Sequence, residues 1–124
     1  MEQIPLTIHS KGGAYRFTVE VARTPQEQER GLMFRQAVDP DKGMIIFPQP
    51  QPQIANVWMK NVLIPLDMIF IRANGTIARI EANAVPLSLD PVSSGEPVIA
   101  VLELAGGRTT ELGIAANDKV DWPH

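Results

Sequence analysis

The chain has 124 residues, of which 44% are hydrophobic and 20% charged, and this length and composition fit one globular domain over residues 1–124 without room for a second. The net charge of −3, with 11 scattered basic residues, predicts no nucleic-acid partner, and no apolar run reaches the ~18 residues of a membrane span. The lack of cysteine excludes disulfides, thiolate metal sites and a cysteine nucleophile.

The first part of the chain predicts a hairpin and a short helix. Residues 4–9 and 14–22 have the alternation of apolar and polar side chains that is typical of strands, and Lys11-Gly12-Gly13 joins them with turn-forming residues. In Thr24-Pro25-Gln26-Glu27, the threonine and glutamate have the spacing of a capping box and the proline suits a first helical turn. We therefore expect a helix from about Pro25 to Met33.

The stretch from Trp58 to Ile71 is the most apolar part of the sequence, yet it contains Lys60, Asn61 and Asp67. Asp67 has the same strand parity as the apolar residues two and four positions later, so its side chain should point where theirs point. Polar groups in such a setting need partners, because burial without them is costly.

A hairpin would supply those partners. If residues 61–66 form a loop between strands 54–60 and 66–73, Lys60 lies directly opposite Asp67, and Pro65 stays out of the ladder for which it lacks an N–H group. The sequence thus predicts a salt bridge between Lys60 and Asp67 that is largely shielded from water.

The second half of the chain continues with a hairpin, a long loop and another apolar strand. Asn74-Gly75 is typical of a two-residue turn, which sets Ile69 opposite Ile80 and Ile71 opposite Ala78. Residues 84–97 contain three prolines and predict a long loop of the kind that often covers a site.

A strand over residues 98–104 follows this loop and contains Glu103, a second acid in an apolar setting. Residues from Gly106 to Leu112 predict one or two helical turns ended by Gly113.

These elements predict a mainly β (β-rich α+β) domain with one or two short helices. About eight short strands in a domain of this size must curl into a barrel or form a two-sheet sandwich, since a flat sheet would leave one face uncovered. The predicted strands are 4–9, 14–22, 43–47, 54–60, 66–73, 76–83, 98–104 and 117–122.

Several blocks of the sequence together resemble a known family: Gly31-Leu32-Met33-Phe34-Arg35, Gly43-Met44 with a following Phe47, Trp58-Met59-Lys60-Asn61, Ile64-Pro65-Leu66-Asp67, and Leu102-Glu103-Leu104. In this order and spacing they are similar to the DUF192 family of small bacterial and archaeal proteins, over about residues 6–120. Val57, Val62 and Asn117 depart mildly from the family pattern. The resemblance implies a compact, mainly β, partly barrel-like domain, but it transfers no catalytic residues, because the family has no established activity.

The cellular location has two alternatives. The N-terminal residues lack the basic head and apolar centre of a signal peptide, which fits either a cytoplasmic protein or a mature form whose leader has been removed. Members of the resembled family often follow an export signal. The resemblance therefore favours a periplasmic or secreted protein.

Asp67 and Glu103 are weak candidates for catalysis. Two carboxylates with separated pKa values could supply the acid and the base of a hydrolase or lyase. Alternatively, each acid could be neutralised in a structural ion pair, with Lys60 and Arg35 as the obvious counter-ions, or the polar cluster could contact a ligand. The sequence leaves these three interpretations open.

Trp58 could be a stacking platform for a ligand, with Lys60 and Asn61 beside it, or a core aromatic. The methionines could suggest a copper(I) site, but they are spread over different elements and core packing is their default role. We therefore predict neither a metal nor a cofactor.

The leading hypothesis is a small exported β domain that binds a small molecule or an extended peptide. The predicted ligand-binding residues are Arg35, Trp58, Lys60, Asn61 and Asp67. A hydrolase or lyase that uses Asp67 and Glu103 is the first alternative, and a structural or interaction module without a ligand is the second.

Overall fold

A computed structural model describes residues 1–47 and 50–123, and within this part of the chain it contains nine strands and two short helices. In chain order they are β1 Gln3–Ser10, β2 Gly13–Ala22, α1 Pro25–Arg30, β3 Lys42–Ile46, β4 Gln53–Val57, β5 Leu66–Ile71, β6 Ile77–Ala84, β7 Val92–Val98, β8 Ala100–Ala105, α2 Arg108–Leu112 and β9 Lys119–Asp121. The prediction of a mainly β domain is confirmed.

Seven strands form one curled sheet in the order β6-β5-β8-β3-β2-β1-β9. β2 and β3 run parallel, and the other neighbours in this sheet run antiparallel. The two outermost strands approach each other, since Thr76, just before β6, pairs with Lys119 of β9 in an isolated bridge. The curled sheet gives the domain its barrel-like shape, as predicted. β4 and β7 pair antiparallel in a separate small sheet.

The hydrophobic core has two parts, one on each face of the curled sheet. The inner core fills the concave side and includes Ile8, Phe17, Ile69 and Leu102. The outer core lies under β4, β7 and the chain around α1, and includes Leu32, Met44, Met68 and Val101. Because β5 lies between them, all six of its residues are buried. A strand with both faces covered needs apolar residues, or polar residues that have buried partners, which explains why the run Leu66–Ile71 is apolar except for Asp67.

Turns and helix ends follow the local sequence signals. Thr24 Oγ1 accepts a hydrogen bond of 3.0 Å from the Glu27 N–H, and the Glu27 carboxylate accepts one of 3.1 Å from the Thr24 N–H, so the predicted capping box is present. The backbone N–H groups of Thr24 and Arg23, which both donate to the Glu27 carboxylate, lower the pKa of this carboxyl. α1 ends at Arg30, however, three residues earlier than predicted. α2 ends at Gly113, as predicted.

The predicted turn at Asn74-Gly75 joins β5 to β6 and sets Ile69 opposite Ile80, as predicted. Ile71 lies opposite Ile77 instead of Ala78, because the ladder shifts after Phe70.

The predicted hairpin between residues 54–60 and 66–73 is wrong. β4 pairs with β7, whereas β5 pairs with β6 and β8. The intervening segment is a packed crossover from the small sheet to the curled sheet, because Met59 and Val62 are buried in the outer core. The predicted loop over residues 84–97 also contains most of β7, which begins at Val92.

Candidate functional site

A cleft of about 540 Å³ opens on the outer face of the curled sheet. One wall is α1 with the turn that follows it, the other is β4 with its continuation to Lys60, and the floor is formed by side chains of β3 and β8 and by valines beside them. Clefts of this size are typical of sites for small molecules and peptides. Its lining residues are Pro25, Gln28, Glu29, Arg30, Gly31, Leu32, Met33, Ile46, Gln53, Ile54, Ala55, Asn56, Val57, Trp58, Lys60, Val62, Val98, Val101 and Glu103.

Glu103 is the acid on the floor of this cleft. It lies opposite Met44 of β3 and Met68 of β5, and it is 5% exposed. Its carboxyl group has no hydrogen bond or ion pair with any residue of the described part of the chain. Burial among apolar side chains therefore raises the pKa of this carboxyl to about 7. Near neutral pH, Glu103 therefore lies close to the midpoint of its titration, and it has no counter-ion among the described residues.

The helical wall is held in place by one contact from within α1 and one from the turn that follows it. Gln28 donates a hydrogen bond of 2.9 Å from Nε2 to the Phe47 carbonyl, which ties the helix to the end of β3, and Leu32 inserts into the outer core. Gly31 turns the chain between these points with φ +48° and ψ −125°, a conformation that suits glycine. A Cβ atom at Gly31 would lie 3.6 Å from Glu103 Oε1, so the turn passes directly over the carboxyl group.

Trp58 and Lys60 line the opposite wall. Trp58 is 47% exposed, so it is no core aromatic, and the Lys60 ammonium lies 5.2 Å from the centroid of its ring. A cation at this distance interacts favourably with the face of an indole. The predicted salt bridge between Lys60 and Asp67 is wrong, because Lys60 is exposed and the two residues belong to segments that do not pair.

Asn61 joins the two walls at one end of the cleft. Its φ of +58° turns the chain, and its carbonyl accepts a hydrogen bond of 2.8 Å from the Phe34 N–H. Asparagine adopts this left-handed conformation more readily than most residues. Pro65 lies just outside β5, and its carbonyl accepts a hydrogen bond from the Gly106 N–H.

Asp67 is fully buried at a different place, where it holds α2 against β5. One carboxylate oxygen accepts hydrogen bonds of 2.9 Å from the N–H groups of Asn83 and Gly107. The other accepts bonds from the Thr109 N–H, at 2.9 Å, and from the Thr109 hydroxyl, at 2.6 Å. These bonds supply the cap that α2 lacks in its own sequence, since Gly107 at its start has no side chain.

The two candidate catalytic carboxylates do not meet. Asp67 lies opposite Leu104 and shares its face with Ile69, as predicted from parity, while Glu103 lies opposite Met68 on the other face. A hydrolase of the predicted type needs both acids beside one bond. This arrangement gives the two-carboxylate hypothesis no support.

Arg35 lies outside the cleft, beside a smaller cavity of about 240 Å³. Its guanidinium makes two hydrogen bonds to the Glu20 carboxylate, of 2.5 and 3.2 Å, and so does not reach Glu103 or Asp67 as a counter-ion. Of the five predicted ligand-binding residues, the cleft thus brings together Trp58 and Lys60, with Asn61 bracing the two walls.

Sequence reasoning missed the helical wall. Gly31 and Gln28 lie in a segment whose sequence shows a capped helix and no chemical motif. The available signal was Glu103 itself, an acid within an apolar strand, but its lack of a partner depends on distant residues. Within the described residues, no group of three or more His, Asp or Glu side chains could hold a metal ion. No helix among them is long and apolar enough to cross a membrane.

Two solved structures are similar to this chain over almost its whole length. One is a protein of unknown function from Novosphingobium aromaticivorans DSM 12444, with 42% identity, a TM-score of 0.93, and coverage of 97% of this chain and 85% of that one. The other is described as a putative transcription regulator from Sinorhizobium meliloti 1021, with 38% identity, a TM-score of 0.93, and coverage of 98% and 94%. A search of curated proteins found no match.

The family comparison agrees with the blocks of sequence noted above. The profile of the DUF192 family, which is described as an uncharacterized ACR, matches residues 6–122. The match includes Gly31, Trp58, Lys60 and Glu103 and spans nearly the whole fold. The chain belongs to the DUF192 family.

Proposed function

We propose that this domain is a binding protein, and that its cleft takes a ligand with an apolar body and a cationic group that pairs with Glu103. One observation carries the proposal: a buried carboxyl without a counter-ion lies on the floor of an open cleft. An ionised acid in such a place is costly by itself, and a cationic ligand would offset that cost.

The rest of the cleft fits a ligand of this kind. Ile46, Val62 and Val101 offer apolar surface beside Glu103, and the half-exposed Trp58 offers an aromatic face at the rim. The cationic group and the apolar body of the ligand would then be recognised by different parts of one site. Trp58, Lys60 and Glu103 would contact the ligand. Arg35, Asn61 and Asp67 would have structural roles, since each has partners within the protein.

The Sinorhizobium relative is described as a putative transcription regulator, but the charge of this chain opposes nucleic-acid binding. Binding to DNA depends on a basic surface that neutralises phosphates, whereas this chain has a net charge of −3. Its cleft also has a buried acid on the floor. Both features oppose a polyanionic ligand.

The test compares 2-phenylethylamine with its neutral counterpart 2-phenylethanol by isothermal titration calorimetry. We expect the amine to bind more tightly at pH 8, and its affinity to fall by about tenfold per pH unit below 7, because the proton and the amine compete for one carboxylate. The affinity of the alcohol should depend little on pH.

Glu103→Gln should abolish the advantage of the amine over the alcohol. Glu29→Gln is the matched control, since Glu29 lines the same cleft from an exposed position on α1. If the amine and the alcohol bind equally, or if both substitutions weaken amine binding to the same extent, the proposal is wrong.

A further inference from the structure

We infer that the natural ligand is an extended peptide that adds a third strand to the small sheet, along the free edge of β4, and places a lysine or arginine side chain towards Glu103. This inference rests on the function proposed above and names its class of ligand. It depends on the backbone of β4, which the first proposal does not use.

β4 borders the cleft with its edge and not with one of its faces. Successive side chains of a strand point to opposite faces, so a cleft over one face would touch alternate residues only. Here every residue from Gln53 to Val57 lines the cleft. Ala55 and Val57 pack towards the outer core, whereas Ile54 and Asn56 are exposed. Within the described chain, β4 has β7 as its one neighbour, which leaves its second edge unpaired.

The hydrogen bonds show which backbone groups face that second edge. The Ala55 N–H donates a bond of 2.9 Å to Ser94 Oγ of β7, so the polar groups of Ala55 point towards β7. Those of the flanking residues, Ile54 and Asn56, must then point away from it, because the direction alternates along a strand.

The partners on β7 agree with this assignment. Ile54 lies opposite Pro97, which has no N–H group to offer, and Asn56 lies opposite Ser93, whose carbonyl accepts a bond of 3.0 Å from Arg79 instead. The β4–β7 ladder is irregular on the β7 side, where three residues lie opposite Ala55. The backbone of β4 therefore stays regular. Ile54 and Asn56 therefore present two N–H groups and two carbonyls to the cleft.

Exposed edges in natural sheets usually carry charges, prolines or bulges that prevent pairing with another chain. Residues 53–57 contain neither a charged residue nor a proline, and Pro52 precedes them immediately. The pairing edge is thus short, and it matches a peptide segment of about five residues. Addition of a strand to an exposed edge is a recurrent mode of peptide recognition, in which pockets for the side chains supply specificity.

Charge complementarity identifies the central side chain of the peptide. The cleft rim carries both signs, with Glu29 opposed by Arg30 and Lys60, but its buried floor carries the carboxyl of Glu103 alone. A lysine or arginine in the middle of the peptide would supply the positive charge that this buried carboxyl lacks. Its neighbours in the peptide would lie on the other face, near the exposed Ile54.

The test uses the fluorescently labelled peptide acetyl-Thr-Val-Lys-Val-Thr-amide and the substitution Asn56→Pro. Proline removes the N–H that faces the cleft but no bond to β7, and such a position on an edge strand tolerates it. We expect Asn56→Pro to weaken peptide binding by at least about fivefold, since the one backbone hydrogen bond that is lost contributes about 1 kcal/mol. Asn56→Ala is the control that keeps the N–H, and it should change the affinity little. The binding of 2-phenylethylamine should be the same in both variants.

Methylated peptides test the same edge in the unaltered protein, whether or not Asn56→Pro folds. One peptide carries N-methyl groups on its two valines, and the other carries them on its lysine and last threonine. A strand pairs with β4 through one edge, so one of the two peptides should lose at least about tenfold in affinity and the other should bind like the parent.

If both methylated peptides bind like the parent, or if the parent binds no more tightly than 2-phenylethylamine, the inference is wrong while the proposed function stands. If neither the amine nor the peptide shows a dependence on Glu103, the proposed function itself fails.

Discussion

Asp67 and Glu103 project from neighbouring strands to opposite faces of the curled sheet, one into hydrogen bonds with α2 and the other into the cleft. The two buried acids differ in their surroundings: Asp67 receives four hydrogen bonds, and Glu103 receives none from the described residues. Loss of the Asp67 carboxylate should therefore lower stability without a change in binding, whereas loss of the Glu103 carboxylate should change binding.

The first prediction is that Asp67→Asn lowers the free energy of unfolding by about 3 kcal/mol. The asparagine amide would place an NH₂ group against backbone N–H donors that bond to a carboxylate in the unaltered protein. Loss of a hydrogen bond to a buried charged group costs about 1.5–3 kcal/mol. Thr109→Val, which removes one hydroxyl donor, should cost roughly half as much. Urea unfolding measures both. Equal losses in the two variants would contradict the role of the Asp67 carboxylate as the cap of α2. Folded Asp67→Asn should bind 2-phenylethylamine as tightly as the unaltered protein does.

The second prediction concerns the dependence of stability on pH. The pKa of Glu103 is raised from 4.5 to about 7 in the folded protein, so the folded state holds a proton that the unfolded state has lost between these values. The stability contributed by protonated Glu103 is complete below pH 4.5 and is lost as the pH rises through 7. Relative to Glu103→Gln, the unaltered protein should lose about 3 kcal/mol over this range, as measured by urea unfolding at each pH.

Glu29→Gln is the control for this profile, and it should leave the dependence on pH almost unchanged. A constant difference in stability between Glu103→Gln and the unaltered protein from pH 4 to 8 would contradict the assignment.

The third prediction is that Gly31→Ala destabilises the protein by about 2–3 kcal/mol. Its dihedral angles are those of a turn position that excludes a Cβ atom, and strained backbone of this kind costs about 1–3 kcal/mol. Gly113→Ala is the matched control. Gly113 has the ordinary left-handed conformation, φ +73° and ψ +22°, and nothing lies within 4 Å of an added Cβ atom, so we expect a loss of about 1 kcal/mol. Thermal and urea unfolding measure both losses in stability. A larger loss for Gly113→Ala than for Gly31→Ala would disprove the assignment.

The fourth prediction is that Lys60→Met changes the free energy of unfolding by no more than about 1 kcal/mol. Lys60 contacts Trp58 at an exposed site, where a cation–π interaction contributes about 0.5–1 kcal/mol. Removal of one partner from a buried salt bridge would cost about 3–5 kcal/mol. A loss in that range on urea unfolding would mean that Lys60 has a buried counter-ion after all.

The sequence predicted most accurately those features that depend on a few adjacent residues. The capping box of Thr24 and Glu27, the turn at Asn74-Gly75 and the end of α2 at Gly113 each follow from side-chain chemistry within about four positions. The barrel-like curvature also followed, because so many short strands leave few other ways to cover both faces.

Strand partners were harder to predict, because they depend on distant segments. The partner of β4 lies in a stretch with Ser94, Gly95 and Pro97 that has the composition of a loop. There the Ser94 hydroxyl takes the place of a backbone group in the ladder. It accepts a hydrogen bond from the Ala55 N–H and donates one to the Glu96 carbonyl. No periodic pattern reveals such a strand.

The candidate site was predicted only in part, because it too depends on distant segments. Trp58, Lys60 and Glu103 are recognisable from residue type and setting, but the donors that surround Asp67 lie 16 to 42 positions away in sequence. The lack of such donors around Glu103 cannot be predicted from the sequence either. Which acid is capped and which faces a cleft is decided by the fold.

The cap that Asp67 provides to α2 has a consequence for hydrogen exchange. A helix of five residues with glycine at its start has almost no stability of its own, and its first N–H groups are bonded to a strand some 40 positions away. The amide protons of Gly107 and Thr109 can exchange with solvent only when β5 releases them, and β5 is buried on both faces between β6 and β8. These two protons at the end of a short surface helix should therefore exchange as slowly as those of the central strands, and so report the opening of the whole domain.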